Sequence, residues 1–410
     1  MTEDVPVELA AVIEEVDAFI EQQIRPLEAE RDNARFFDHR REPARTDFEG
    51  GGLPSAEWEA LLEEMVQRAD RAGLWRYGLP RELGGRGASN LAMAVVREHL
   101  NRLGIGLHND PQSEISMIGN FPTVILAHEF GTPAQREAFV EPALRREVGL
   151  AFGLTEPNHG SDATYMETTA RRDGEEWVID GTKRFNSGMH RASHDLVFAR
   201  TSGVPGEARG ITAFIVPRDA PGLEIEFYWW TFNMPTDHAE VSLKGVRVGE
   251  DAILGKLGEG LALAQRFVHE NRIRQAASSL GAAAFCIDEA VRWARERTVW
   301  GKPLWRNQGI QFPLAELWTD CELVRGLVRR TAAELDRHHH MEVTHLVAMA
   351  NFRANRLACQ AADRAMQTCG GMGYTRHMPF EHIYRHHRRY RITEGSEEVQ
   401  IRKVGYELFK

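Results

Sequence analysis

Gln367-Thr-Cys-Gly-Gly-Met-Gly-Tyr374, followed by Thr393-Glu-Gly-Ser-Glu-Glu-Val-Gln400, is the stretch that the rest of the chain serves. Gly370, Gly371 and Gly373 let a backbone approach another molecule closely and adopt turns that a side chain would forbid. Glu394 stands just before Gly395, a helix-ending or turn position, so its carboxylate is held at an element boundary. A close-approach loop and one positioned carboxylate suit a large cofactor with a proton acceptor beside it. The same residues also make a plain turn, and the remaining segments decide between the two.

Upstream of this stretch the apolar spacing is helical over 262–297, 308–337 and 343–369, broken by Gly301-Lys-Pro303 and by His338-His-His340. Such lengths exceed the usual globular helix and predict a bundle, often one that also assembles between subunits. Pro313 is expected to kink the second helix or mark an offset start. From Leu150 to about residue 258 the texture is different. Short β-branched or alternating runs (Trp177–Gly181, Asp195–Arg200, Ile211–Val216, Glu240–Leu243) are punctuated by glycines, which predicts a small antiparallel β-domain.

The first 150 residues read as mostly helical. Residues 7–24 carry Leu9, Val12, Ile13, Val16, Phe19, Ile20 and Ile24 at helical spacing, with Pro26 expected to bend or end that helix. Ser55 is a candidate N-cap for a helix presenting Trp58, Leu61, Leu62, Met65 and Val66, closed by Gly73. Further helical stretches cover Ala92–Leu103 and residues 132–147. Helices, then strands, then helices give an α+β chain with three domains: an N-terminal helical domain (1–149), a central antiparallel, barrel-like β-domain (150–261) and a C-terminal four-helix bundle (262–410).

The 410 residues give ample core, and 42% hydrophobic with 27% charged residues describe an ordinary soluble globular protein. A net charge of −10 argues against a nucleic-acid binder. Met1-Thr-Glu-Asp-Val-Pro6 lacks a signal-peptide pattern, and no apolar run is long enough to span a bilayer. Cys286, Cys321, Cys359 and Cys369 show no metal-like spacing and read as reduced thiols of a cytoplasmic protein. Consecutive histidines on a helix point about 100° apart, so 338–340 reads as a solvated patch and no metal is expected.

Two segments of the middle domain can carry chemistry. Leu154-Thr-Glu-Pro-Asn-His-Gly-Ser-Asp-Ala163 combines hydroxyls, a proline-fixed turn and a glycine, able to offer donors to one polar edge or simply to form a well-made loop. In Gly181-Thr-Lys-Arg-Phe-Asn-Ser-Gly188, Phe185 two residues before Ser187 can flank a flat ring and bond its edge, although an isolated Phe is more often core. In the helical part, Arg297 beside the Trp300-Gly301 turn is a dipole partner at a helix end, or a phosphate ligand for a neighbouring subunit. Arg272 is by default a solvated arginine.

Taken in order, Thr155-Glu-Pro…Gly160-Ser-Asp162, Lys183-x-Phe185, Leu254-Gly-x-x-Gly258-x-Gly260, Arg297-x-x-Trp300-Gly301-x-Pro-Leu304…Gln308, Gln367-x-x-Gly370-Gly-x-Gly373-Tyr374 and Glu394-Gly-Ser-x-x-x-Gln400 make the chain resemble the acyl-CoA dehydrogenase family. The resemblance runs from about Leu79-Pro80…Gly84-Gly85 to the C-terminus. It implies FAD held between middle and C-terminal domains, in a dimer or a homotetramer completing each flavin site. Carried over by position, Phe152, Leu154, Thr155 and Ser161 would line the flavin, with Phe185 and Ser187 against its ring. Arg297, Trp300 and Gln308 would reach the FAD of the adjacent subunit, Gln367, Gly370 and Gly371 its adenosine diphosphate part, and Ser396 and Glu398 the same cofactor. Ser161, Arg272, Thr393 and Gly395 would meet substrate, Arg272 through CoA, and Glu394 falls on the catalytic base.

The implied reaction is α,β-dehydrogenation of an acyl-CoA to a trans-2-enoyl-CoA in fatty acid metabolism, with electrons passed to an electron-transfer flavoprotein. Glu394 would take the α-proton while its backbone N–H and a ribityl hydroxyl of FAD stabilise the enolate oxygen. Burial by substrate would raise the carboxylate's pKa toward working pH. The chain departs from the family pattern at Thr393, where Tyr is frequent, at Phe185, where Trp is frequent, and at His386, where an acid is frequent. The run Phe227-Tyr-Trp-Trp-Thr-Phe232 is unusually aromatic, and His238-Ala-Glu240 stands where a serine- and threonine-rich segment is common. Some relatives carry the base one residue before the Arg272 position, here Asn271, with Glu270 next to it. These departures keep a second reading open: a flavin oxidase or monooxygenase acting on a non-CoA or carrier-protein-bound substrate. A third is a catalytically silent bundle.

Overall fold

The computed structural model describes residues 5–38, 43–110 and 115–410. Its helices are α1 (Ala10–Phe19), α2 (Arg25–Ala29), α3 (Ala56–Arg71), α4 (Asn90–Arg102), α5 (Pro122–Phe130), α6 (Pro133–Leu144), α7 (Gly260–Glu296), α8 (Gln308–Leu335), α9 (Thr344–Cys369), α10 (Phe380–Arg389) and α11 (Glu397–Leu408). The chain divides into two compact units, one of Met1–Arg45, Ser55–Asn120 and Asn271–Lys410, the other of Thr46–Pro54 and Phe121–Glu270. Helix α7 runs from the second unit into the first.

In the first unit, α7 and α9 contribute runs of alanine (Ala276, Ala277, Ala283; Ala350, Ala354, Ala361) that pack with Val324 and Val328 of α8 and Phe380 and Ile383 of α10. Small residues at a helix contact shorten the interaxial distance. The closest approach is at Gly281, where an added Cβ would stand 2.2 Å from the Glu98 carbonyl oxygen of α4. Glu98 is itself buried between Arg325 (2.6 Å) and Arg329 (3.4 Å), which ties α4 to α8. Ser55 caps α3 as its sequence implies, accepting from Trp58 N, and Ser89 caps α4 by accepting from Ala92 N.

Two prolines lie inside helical runs and end neither of them. Pro26 does not end the first helix: a π-helical turn over Ile20–Ile24 follows α1, and Pro26 sits in the first turn of α2, where a missing N–H costs little. Helix α8 opens at Gln308 and runs to Leu335 with Pro313 inside it, in the second turn, so the proline does not mark the start.

The second unit is built on an eight-stranded sheet. Its strands are β1 (Leu150–Gly153), β2 (Thr169–Asp173), β3 (Glu176–Ser187), β4 (His194–Arg200), β5 (Ile211–Pro217), β6 (Leu223–Tyr228), β7 (His238–Gly249) and β8 (Ile253–Leu254), ordered β6-β7-β3-β2-β4-β5-β8 with β1 paired to β4. The sheet is not wholly antiparallel. β1 runs parallel to β4, and β2 touches β4 in parallel through Thr169 and Arg200. The short β1 carries no two-residue hairpin link to β4, so the antiparallel rule for tight connections does not apply to it. Strand β4 is apolar on both faces. Leu196 and Phe198 pack with Leu126, Leu254 and Leu263, whereas Val197 and Ala199 pack with Trp177, Phe214 and Val241. A strand covered on both sides reads as a continuous apolar run, which is how 196–199 reads. No described helix is long and apolar enough to cross a membrane.

Candidate active site

In the first unit the site is a turn between α10 and α11. Ile392 N and Thr393 N both bond back to Arg389 O, after which Glu394 (φ 55°) and Gly395 (φ 87°) adopt consecutive left-handed conformations. A glutamate pays a steric cost there that glycine does not. Arg272 of α7 holds the turn: its Nε and Nη2 donate to Glu394 O at 2.8 and 2.5 Å. An added Cβ at Gly395 would stand 2.7 Å from Arg272 Nη2, so this glycine is required twice, by φ and by contact. Gln400 of α11 donates to Gly395 O (2.7 Å), and the bidentate Arg391–Glu397 pair brackets the turn.

The Glu394 side chain is half-buried and accepts from Asn271 Nδ2 at Oε1, 3.2 Å away. Arg272 is not the solvated arginine of the default reading. It is 9% exposed, and burial lowers its pKa, with the charge of Glu394 opposing that shift. Its guanidinium donates to the Glu394 main chain. The family resemblance put Arg272 near a substrate, and nothing in the residues themselves signalled this clamp, which depends on how α7 meets the 390–396 turn.

The glycine loop after α9 divides by role. Gly370 has φ 61°, and added Cβ atoms at Gly370 and Gly371 would meet open space. At Gly373 a Cβ would stand 2.3 Å from Met366 O, so that glycine serves the protein's own packing. Gln367 and both open glycines are exposed. Arg297 and Gln308 are also exposed, and Trp300, with φ 47°, is 92% exposed at the tip of the hairpin formed by Thr298–Val299 and Lys302–Pro303. Thr393 and Glu398 are exposed and Ser396 opens α11; Glu397 rather than Glu398 makes the ion pairs of this turn. The exposed His338 lies between Glu334 (3.2 Å) and Glu342 (3.6 Å), and all four cysteines are buried free thiols.

In the second unit, Phe185 is the informative residue. The β3–β7 register passes from Asn186↔Ala239 to Arg184↔Glu240, leaving Phe185 unpaired in a bulge with φ 62°. A bulge bends a strand and re-aims one side chain. Phe185 is accordingly 47% exposed, against the core role usual for an isolated Phe. Its ring lies 5.7 Å from that of Trp229, which is fixed by a bond from Nε1 to Glu240 (2.9 Å) and by the Arg184 guanidinium 4.8 Å from its ring centre. Ser187 Oγ bonds His238 Nδ1 at 2.8 Å.

The loop 154–163 is anchored rather than loose. Lys183, wholly buried, donates to Glu156 (2.8 Å) and to Leu154 O (3.4 Å), and Glu156 accepts from Glu167 N and Thr168 N. Thr155 O accepts from Arg184 N. Burial pushes Lys183 down to about 8 against the charge of Glu156, and pushes Asp195, bonded by Asn186 Nδ2, up to about 7. These buried groups were not singled out as functional in the sequence. Phe152 stacks on Phe267 at 3.9 Å, while Ser161 is exposed. Glu270 is paired to Arg266 at 2.9 Å, which engages the carboxylate that would have been the alternative base.

Known proteins match this architecture along its length. The family models of the acyl-CoA dehydrogenase N-terminal, middle and C-terminal domains match residues 53–147, 151–246 and 258–409. The chain is 34% identical over 355 residues to the 3-(aryl)acrylate reductase of Clostridium sporogenes, covering 85% of this chain and 90% of that protein. It is 34% identical over 346 residues to the mitochondrial short-chain specific acyl-CoA dehydrogenase of Bos taurus, covering 84% and 82%. Butyryl-CoA dehydrogenase from Megasphaera elsdenii superposes with a TM-score of 0.81 at 26% identity, over 100% of both chains.

Proposed function

The chain belongs to the acyl-CoA dehydrogenase family of oxidoreductases, and from that membership we propose that it oxidises the Cα–Cβ bond of an acyl-CoA thioester, with Glu394 as the base. The observation that carries this reading is the turn itself. A carboxylate on a left-handed residue, its main chain clamped by Arg272 and its Oε1 bonded by Asn271, is a group held in one orientation. Fixed orientation is what a base attacking a weakly acidic C–H bond needs.

FAD fits the residues present. Gly370 and Gly371 leave open the space a Cβ would fill, and the bulge turns the Phe185 ring outward beside the hydroxyl of Ser187. Phe185, Ser187, Leu154 and Thr155 would hold the flavin ring, with Phe152 and Ser161 beside them; Gln367, Gly370, Gly371, Ser396 and Glu398 would meet the rest of the cofactor. When bound, FAD supplies the acceptor for the hydride that leaves Cβ. The protein's own share is to take the α-proton on Glu394 and to keep that carboxylate from turning away. Thr393 and Gly395 would flank the substrate, and Arg272 would sustain the site through the Glu394 carbonyl. An electron-transfer flavoprotein is the acceptor we assign downstream.

The test is anaerobic bleaching of the purified flavoprotein with a panel spanning butyryl-CoA, longer linear acyl-CoAs and 3-arylpropionyl-CoA. The wild type should bleach with at least one of them, and Glu394→Gln should slow that step by about 10²- to 10⁴-fold while retaining FAD. Equal bleaching rates in the two proteins would reject Glu394 as the base.

A further inference from the structure

We propose that Asn271 is the positioning residue that fixes the Glu394 carboxylate for proton abstraction, and that Asn120 locks Asn271 in the orientation this requires. The proposal rests on the reading of Glu394 as the base. Its observation is a directed chain of bonds within the first unit: Asn120 Nδ2 donates to Asn271 Oδ1 (3.1 Å), and Asn271 Nδ2 donates to Glu394 Oε1 (3.2 Å).

The direction of the chain follows from chemistry. An amide side chain offers one accepting and one donating end. Arg274 Nη2, which can only donate, lies 3.3 Å from Asn271 Oδ1, so the oxygen of Asn271 must face Arg274 and Asn120. Its –NH2 therefore faces Glu394, whose ionised carboxylate can only accept. Asn271 is 4% exposed, so no bulk solvent competes for these bonds. Asn120 is itself set by the main chain beside it. The buried Arg97 of α4 donates to Ile118 O (2.5 Å) and Gly119 O (3.2 Å), and Gly119 N donates to Trp75 O.

The consequence is a carboxylate held in one orientation, and an Asn271 variant removes a donor that faces its charged form, which disfavours that form. The charged groups facing this turn from α7 are Arg272, on the Glu394 carbonyl, and Arg274, on the far side of Asn271; within the turn Arg391 is closed on Glu397. Asn271 is thus the neutral contact between the carboxylate and Arg274, whereas Arg272 meets the Glu394 main chain directly. At the same helix position an acidic side chain would compete with Glu394 for one proton.

The experiment follows flavin bleaching by butyryl-CoA, or by whichever acyl-CoA the wild type accepts, from pH 5.5 to 9. Proteins compared are wild type, Asn271→Leu, Asn271→Asp, Asn120→Ala and Glu394→Gln. Asn271→Leu should move the acid limb upward by about one pH unit, and Asn271→Asp further, because two adjacent carboxylates cannot both ionise freely. Asn120→Ala should give a smaller move in the same direction while leaving the Asn271 side chain in place, and it serves as the readout should the Asn271 variants not fold. Flavin content and visible spectrum should match wild type. An acid limb unmoved in the Asn271 variants, or in Asn120→Ala if only that variant folds, overturns the proposal even when the rate falls at every pH. Unimpaired bleaching in Glu394→Gln would instead overturn the reading of the base on which it rests.

Discussion

At the scale of single residues, the turn at Glu394 was legible because glycine follows it and a glycine loop precedes it in a fixed order. Its backbone state was not legible. Glutamate is not a residue one assigns to φ 55°, and Arg272 in sequence is only an arginine on a long helix. The strain at Glu394 and the clamp from Arg272 exist together, the second holding what the first would release. Gly395 connects them, and replacing it isolates the effect. Gly395→Ala adds about 1 kcal/mol or more of left-handed strain and displaces Arg272 Nη2 from a contact that would be 2.7 Å. The bleaching rate should fall roughly tenfold or more, with a thermal midpoint only a few degrees lower. A variant with wild-type bleaching kinetics would show that the clamp has no part in holding the proposed base.

At the scale of elements, the long helices, the Ser55 cap and the glycine-punctuated strands follow from periodicity and turn chemistry. The bulge at Phe185 does not, because one unpaired residue is a property of the β3–β7 ladder and not of either strand alone. The same holds for the charges beneath it. Lys183 sits among half-exposed neighbours and Asp195 begins the buried run of its strand, and both are fully buried. The pKa of Asp195, pushed up to about 7 from an ordinary 3.8, means that the folded protein holds this proton more tightly than the unfolded chain does. Its stabilising contribution is complete below about pH 4 and is lost as pH rises toward 7. Lys183, at about 8, releases a desolvation penalty only above that pH, outside this window. Asp195→Asn should therefore gain stability relative to wild type by about 1–3 kcal/mol between pH 5 and 7, read from urea unfolding at several pH values. Parallel pH dependence in the two proteins would place the ionisation of Asp195 elsewhere.

At the scale of the whole molecule, composition and periodicity gave a helical–β–helical chain, and the match to the family across three successive domains agrees with that order. The parallel strand β1 escaped notice because four residues carry too little pattern to reveal which neighbour they join. Trp300 raises a different question. Its indole is 92% exposed at a hairpin tip, beside the exposed Arg297 and with the exposed Gln308 opening α8. We expect these residues to complete the cofactor site of a second copy, in a homodimer or homotetramer, and complementation tests this directly. Glu394→Gln would remove the proposed base of its own site, and Arg297→Glu would spoil the site of the neighbour. Each variant alone should be inactive, the second through poor FAD retention. Coexpressed, they form mixed dimers in which one site carries both defects and the other carries neither, so bleaching activity should return in the purified mixture. If Arg297 served its own chain's site, every mixed dimer would hold two damaged sites. Activity would then stay at the level of the separate variants however the two were combined.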